Sequence, residues 1–272
     1  METPVPSSPW RVVSASVRGT SHVKANLPCQ DVIRHQAGPG AWLLAALADG
    51  AGSASFAEIG AAIAAETALG SVARQLANGA PETTNDEAWR GLLRNAMVSA
   101  RNAVLAEAER RSVRPRELAS TLTLLAIGPE LAAAAQVGDG AALGATTPDE
   151  LLCLARPASA EYLNETTFLT SDTALETLQL NLQRGVWRQA ALFCDGLQLL
   201  ALRLPEATPH GRFFQPLFRF VERSSDAVAA GAELARFLQS PRITERADDD
   251  LTLLLAHRCG PTPAPPAPAA GA

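Results

Sequence analysis

Apolar residues along this chain follow two alternating periods. Trp10–Val17 reads as a strand, and Arg18–Pro28 as a polar loop. A second strand, Asp31–Gln36, reaches the turn Gly38-Pro39-Gly40, and a third, Trp42–Ala48, is apolar almost throughout. Strand, turn, strand predicts an antiparallel sheet. After Gly50 the period lengthens to that of a helix. Ser55 and Glu58 form a capping-box pattern ahead of a helix over Phe56–Ala77, which Gly79 closes. Thr84 and Glu87 repeat the start signal, and Trp89, Leu92, Leu93, Ala96, Met97, Ala100 and Val104 follow at helical spacing. Such a stripe is expected in the core rather than around a cofactor. The polar connection Pro81–Asp86 predicts that the two helices pack antiparallel on a sheet face.

Strand patterns return at Leu118–Ile127, Leu131–Val137, Ala141–Ala145, Leu151–Ala155, Thr166–Thr170 and Arg188–Cys194. Turns at Gly128-Pro129, Gly138-Asp139-Gly140 and Thr147-Pro148-Asp149 separate them. A short helix is expected at Leu197–Leu202. Two more fall within Phe213–Gln239, the second capped by Ser224 or Ser225, and Leu251–Ala256 is the last strand. The chain has no internal repeat. This order predicts an α+β fold of four layers, an α-β-β-α sandwich of two antiparallel sheets flanked by helices, over residues 9–258. Residues 1–8 and the Pro/Ala-rich tail 259–272 are expected to be disordered.

Composition narrows the function. The 272 residues are 47% apolar, enough for a substantial core, and carry a formal net charge of −5. Lys24 is the only lysine, and the arginines of Arg101–Arg116 are interspersed with glutamates, as on a solvated helix face. No nucleic-acid partner is therefore expected. Cys29, Cys153, Cys194 and Cys259 form no CxxC pair or zinc spacing; Cys153 and Cys194 read as small buried hydrophobes. The N-terminus lacks the charged and apolar regions of a signal peptide, and no apolar stretch approaches the roughly 18 residues of a membrane span. A cytoplasmic protein with no membrane partner is the expectation.

The candidate chemistry lies in acidic residues bordering apolar runs: Gln30-Asp31, Asp49-Gly50, Asp195-Gly196 and Asp249-Asp250-Leu251-Thr252. Carboxylates at strand ends can converge in space while far apart in sequence. An ionised cluster is costly without a cation, and hard oxygen ligands suit Mg²⁺ or Mn²⁺. The pattern points to a metal-dependent hydrolase, although each Asp-Gly pair also marks an ordinary turn. Gly50-Ala51-Gly52-Ser53 precedes a helix but lacks the lysine of a P-loop. His35 and His257 lie on strands and read as structural, and His210 is uninformative.

Taken in order, Cys29-Gln30-Asp31, Ala48-Asp49-Gly50-Ala51-Gly52, Ser120-Thr121, Val137-Gly138-Asp139-Gly140, Cys194-Asp195-Gly196-Leu197 and Asp249-Asp250-Leu251-Thr252 resemble the metal-dependent protein serine/threonine phosphatases of type 2C. The stretch 161–170, from Glu161 to Thr170, resembles a bacterial branch of that family. The resemblance implies a β-sandwich flanked by helices, with two Mn²⁺ or Mg²⁺ ions at one edge and a hydroxide between them that attacks phosphoserine or phosphothreonine. It places Asp49 between the two ions, the Gly50 carbonyl on one, and Asp195 and Asp249 on the other. Asp31 would orient metal-bound water, and Asp139 would help hold a third, weaker ion. The implied partners are a phosphoprotein substrate and a cognate Ser/Thr kinase, and a monomer is expected.

Three positions depart from the family pattern. Gln30 replaces a common Glu, Asn26 stands where many members carry a phosphate-gripping Arg, and Leu199 occupies an acidic position of members that bind the third ion. His22 or Lys24 would then supply positive charge to the substrate phosphate. Two alternatives stay open: a catalytically silent phosphatase-like binding module, and a phosphatase of a small phosphorylated metabolite.

Overall fold

The central strands bury both faces, which is why they read as unbroken apolar runs. The computed structural model describes residues 9–147, 150–157, 166–203 and 206–260. Of the ends expected to be disordered, 1–8 and 259–272, residues 1–8 and 261–272 lie outside the described residues, as do Pro148-Asp149 and Glu161–Glu165. Cys259 is described, and its backbone N–H donates to Pro9 O at 2.6 Å.

One five-stranded sheet contains, in spatial order, β1 (Trp10–Val17), β12 (Leu251–Arg258), β9 (Gln189–Phe193), β6 (Ala141–Thr147) and β7 (Glu150–Ala155). The other contains β2 (Val32–Ala37), β3 (Leu43–Ala48), β4 (Leu122–Ile127), β5 (Leu131–Val137) and β8 (Gln179–Arg184). Every pairing within the two sheets is antiparallel. A two-stranded ribbon, β10 (Leu202–Arg203) and β11 (Thr208–Pro209), stands apart.

Alternation along β3 defines the layers. Leu44, Ala46 and Ala48 pack with α2 (Ala57–Ala77) and α3 (Asp86–Arg111), while Leu43, Ala45 and Leu47 face the other sheet with Leu192, Leu254 and Ala256. On the far side, beyond the short α4 (Gln198–Ala201), Phe193, Leu253 and Leu255 pack against α5 (Gly211–Arg223) and α6 (Ala227–Leu238). The result is the expected α-β-β-α order. Alanines at 61, 64, 65 and 68 give α2 its narrow buried face. Gly60 brings the helix so close to Leu118 that an added Cβ would lie 2.0 Å from that residue's carbonyl oxygen. The α3 stripe is buried as its spacing predicts, with Trp89 4.7 Å from Trp42 between ring centroids and its Nε1 donating to Glu82 O at 3.1 Å.

Several local expectations are corrected. Within Arg18–Pro28 lies a helix, α1 (Thr20–Ala25), closed by Asn26 in the left-handed conformation at φ 55°. Its six residues are too few for intrinsic helicity, and tertiary contacts hold it. No capping box forms at α2: Ser55 Oγ instead donates to Glu117 Oε2 at 2.9 Å. Asn85 rather than Thr84 caps α3, and Asp226 rather than Ser224 or Ser225 caps α6. Pro115–Leu118 is a 3₁₀ turn, so β4 begins only at Leu122. Thr166–Thr170 is not a strand; Leu169 is buried, and its N–H donates to Ser120 O at 2.8 Å. The edge strand is β8, whose Leu180 and Leu182 pack under α3.

Candidate metal centre

The candidate acids gather where β2 begins, β3 ends, β5 turns into β6, β9 ends and β12 begins. The same alternation that sorts the core places them there. Leu43, Ala45 and Leu47 face the gap between the sheets, and Asp49 continues that register. Ile33 places Asp31 likewise, and Leu192 places Cys194. Val32 pairs with Ala48, so Asp31 and Asp49 stand on adjacent strands.

Thr121 fixes the backbone of Asp49 from both sides. Its Oγ1 accepts from Asp49 N at 3.1 Å, and its own N–H donates to Asp49 O at 2.8 Å. Gly50 is bridged to Ser120 and backed so closely by Ala57 and Gln30 that a Cβ would lie 2.8 Å from Ala57 Cβ. Ligand atoms of Asp31, Asp49 and Cys194 lie within 4.8 Å of one another.

Electrostatics report the crowding. Burial pushes Asp49 well above the ordinary carboxylate range, and the charges of Asp31, Asp195 and Asp249 push it further. Asp31 is raised to about 7, by burial first and also by the Asp250 charge. Asp195 is raised by burial and by Asp139 and Asp249. Asp139 is raised by burial and Asp249, while its Oδ2 accepts from Thr166 Oγ1 at 2.8 Å and its carbonyl from Gln198 Nε2 at 2.7 Å. Six carboxylates from distant parts of the chain therefore sense one another here.

The donor set fits a hard divalent cation. Asp31 Oδ1 and Oδ2 and Asp195 Oδ1 are buried with no hydrogen-bond partner among the described residues. Unpaired buried carboxylate oxygens require either a proton or a cation. A soft metal is disfavoured because the Cys194 thiol is driven far up, by burial first and then by Asp31, Asp49 and Asp195. Cys194 serves the backbone instead, its thiol donating to Asp250 O at 3.3 Å and accepting from Thr252 N at 3.2 Å.

The two residues expected to meet substrate phosphate differ in placement. Lys24 is exposed on α1, and its side chain makes no hydrogen bond or ion pair among the described residues. His22 is buried at 8% exposure; its Nδ1 lies 2.9 Å from Asp250 Oδ2 and its Nε2 3.7 Å from Asp249 Oδ1. Its ring is thus turned to carboxylates. Asn26 closes α1, Gln30 is buried with its Oε1 unpartnered, and Leu199 is 71% exposed.

Sequence reasoning missed Asp250. Only 3% exposed, its carboxylate accepts from Gly19 N at 2.7 Å and from Gln30 N at 2.6 Å. The available signal was an acid directly before a buried strand, but the neighbouring Asp248 and Asp249 made it look like part of a solvated run.

Comparison with known proteins identifies the family and the fold. The family model for protein phosphatase 2C matches residues 18–239, ending before Asp249. Serine/threonine-protein phosphatase 3 of Escherichia coli (strain K12) is 35% identical over 256 residues, covering 91% of this chain and 98% of that protein. The structure also resembles the serine/threonine phosphatase Stp1 from Staphylococcus aureus, with a TM-score of 0.62 at 15% identity, covering 92% of this chain and 95% of that one. The Mycobacterium tuberculosis serine/threonine phosphatase PstP/Ppp gives a TM-score of 0.57 at 17% identity, covering 92% and 99%.

Proposed function

The chain belongs to the protein phosphatase 2C family, and on that footing we propose that it removes phosphate from phosphoserine and phosphothreonine in a phosphoprotein, using two Mn²⁺ or Mg²⁺ ions. The observation that carries this reading is the convergence of Asp31, Asp49, Asp195 and Asp249 with buried oxygens left unpaired. Asp49, the Gly50 carbonyl, Asp195 and Asp249 would hold the ions, with Asp31 beside them and Asp139 available to a third. The chemistry such ions supply when bound is acidification of water and neutralisation of charge on phosphoryl oxygens.

The chain's own residues perform the rest. Thr121 fixes the backbone from which Asp49 projects, so the carboxylate needs little reorganisation to accept a cation. Asp31 is raised to about 7 in the metal-free site, chiefly by burial, and bound cations would favour its ionised form as an acceptor for metal-bound water. Gln30 keeps an acceptor oxygen where the family commonly carries Glu, which lowers the charge of the site. All these groups come from one chain, so a monomer is a sufficient catalytic unit. A Ser/Thr kinase would supply the substrate. Among the described residues no helix is long and apolar enough to cross a membrane, and action in the cytoplasm is part of the proposal.

Turnover of p-nitrophenyl phosphate with Mn²⁺, with Mg²⁺ and with excess chelator tests the reading. Activity with the metals and none with chelator is expected, followed by faster turnover of phosphoserine or phosphothreonine peptides than of phosphorylated metabolites. Neither turnover nor metal binding would leave only a binding module, and preference for metabolites would reassign the substrate.

A further inference from the structure

We infer that His22 and Asp250 are positioning residues that aim Asp249 at the metal centre, so that His22 acts through a carboxylate rather than on substrate phosphate. The inference rests on the metal-dependent reading above and concerns residues to which that reading gives no role.

Asp249 needs such a device. It is the last residue but one before β12, and its side chain is 55% exposed. Left alone, an exposed carboxylate at a strand entrance would rotate freely. Here Oδ1 accepts from Asp250 N at 2.8 Å and lies 3.7 Å from His22 Nε2. The backbone bond anchors one oxygen, with the imidazole edge beside it at ion-pair rather than hydrogen-bond distance, which leaves Oδ2 available to a cation. The ring reaches Asp249 because its other nitrogen, Nδ1, lies 2.9 Å from Asp250 Oδ2. The imidazole packs between the two carboxylates without an aligned hydrogen bond to either, beside Asp249 where outer groups orient metal ligands.

The helix carrying His22 is built onto the same acidic segment. Ser21 N and Ser21 Oγ both donate to Asp248 O, at 2.8 and 2.6 Å. Gly19 lies so close to Asp249 that a Cβ would be 2.2 Å from its carbonyl carbon. Asp250 adds a link to the N-terminal half of the centre by accepting from Gln30 N, next to Asp31. A residue meant to swing onto a substrate phosphate would not be buried between two carboxylates; His22 is only 8% exposed.

Calorimetric titration of the metal-free protein with Mn²⁺ tests this, together with KM and kcat on a phosphopeptide at saturating Mn²⁺. In His22→Ala and Asp250→Asn, Mn²⁺ affinity at one ion position should fall by about tenfold to a hundredfold. KM should stay near the wild-type value, and excess Mn²⁺ should restore most of kcat. His22→Gln, whose amide can reach the Nε2 position, should recover more affinity than His22→Asn, which can replace only Nδ1. These two polar variants carry the comparison should the alanine variant fold poorly. Unchanged Mn²⁺ affinity with a raised KM would make His22 a phosphate ligand and overturn the inference. A lowered melting temperature alone, or equal rescue by Asn and Gln, would also overturn it. If the wild type binds no Mn²⁺, the proposed function itself fails; if it binds and the His22→Ala variant binds equally, only the positioning role does.

Discussion

Asp250 and Gln30 stand 220 positions apart, yet the Gln30 backbone N–H donates to Asp250 Oδ2 at 2.6 Å. The bond ties the entrance of β12 to the turn that presents Asp31. An acid near the C-terminal end of the fold thus helps to locate one near its N-terminal end.

The repulsion among the acids makes a prediction about stability. Asp49→Asn should abolish phosphatase activity while leaving the protein folded. In metal-free buffer its melting temperature should exceed that of the wild type, because the amide is neutral at every pH whereas Asp49 must take up a proton to avoid a buried charge facing Asp31, Asp195 and Asp249. Differential scanning calorimetry in excess chelator checks this; a lower melting temperature would show that Asp49 supports the apo fold.

A pH dependence follows with a definite sign. Asp31 is raised from an ordinary 3.8 to about 7, so the folded state holds its proton more tightly than the unfolded chain does. Its stability contribution is most favourable below the unfolded value and is lost as pH rises toward 7. The metal-free protein should therefore melt at a higher temperature at pH 5.5 than at pH 8. Mn²⁺ competes with those protons, so the melting-temperature increase on adding Mn²⁺ should be larger at pH 8 than at pH 5.5. Thermal scans at both pH values, with and without Mn²⁺, check both statements.

Thr121→Val keeps the side-chain shape but removes the acceptor for Asp49 N. Leaving that N–H unsatisfied should cost about 1–3 kcal/mol in chemical denaturation. It should also lower kcat more than it changes KM, since Asp49 loses its backbone anchor and the substrate contacts stay in place.

Gly19→Ala tests the docking of α1. The added Cβ would meet backbone atoms of Asp248 and Asp249 at 2.2–2.5 Å, and neither is the end of a flexible side chain. The helix and the acidic segment must separate, so stability should fall by about 1–3 kcal/mol and Mn²⁺ affinity should weaken with it. Urea denaturation and calorimetric titration measure the two effects.

Much of this arrangement was legible in the amino-acid sequence for a physical reason. Leu43–Ala48 is an unbroken apolar run because both faces of β3 are covered, and an acid ending such a run is conspicuous. The helical stripe from Trp89 to Val104 was equally plain. What escaped notice depends on long-range contacts. The helix α1 has no side-chain N-cap and exists because Asp248 accepts from Ser21 and Asp250 from Gly19. Thr166–Thr170 has strand-forming residues but no strand beside it, whereas Gln179–Arg184 finds β5 as a partner. Asp250 was hidden among acids that look alike in sequence and differ only in burial.

The central claim is that aspartates 49, 195 and 249 share divalent ions on which phosphate release depends. Titrating metal-free wild type and the Asp49→Asn, Asp195→Asn and Asp249→Asn variants with Mn²⁺, while following phosphate release from a phosphothreonine peptide, tests it most directly. The account predicts two Mn²⁺ bound per wild-type chain, activity that rises with their occupancy, and loss of both binding and turnover in each variant. Full turnover in excess chelator, or variants that bind Mn²⁺ and release phosphate as the wild type does, would contradict it.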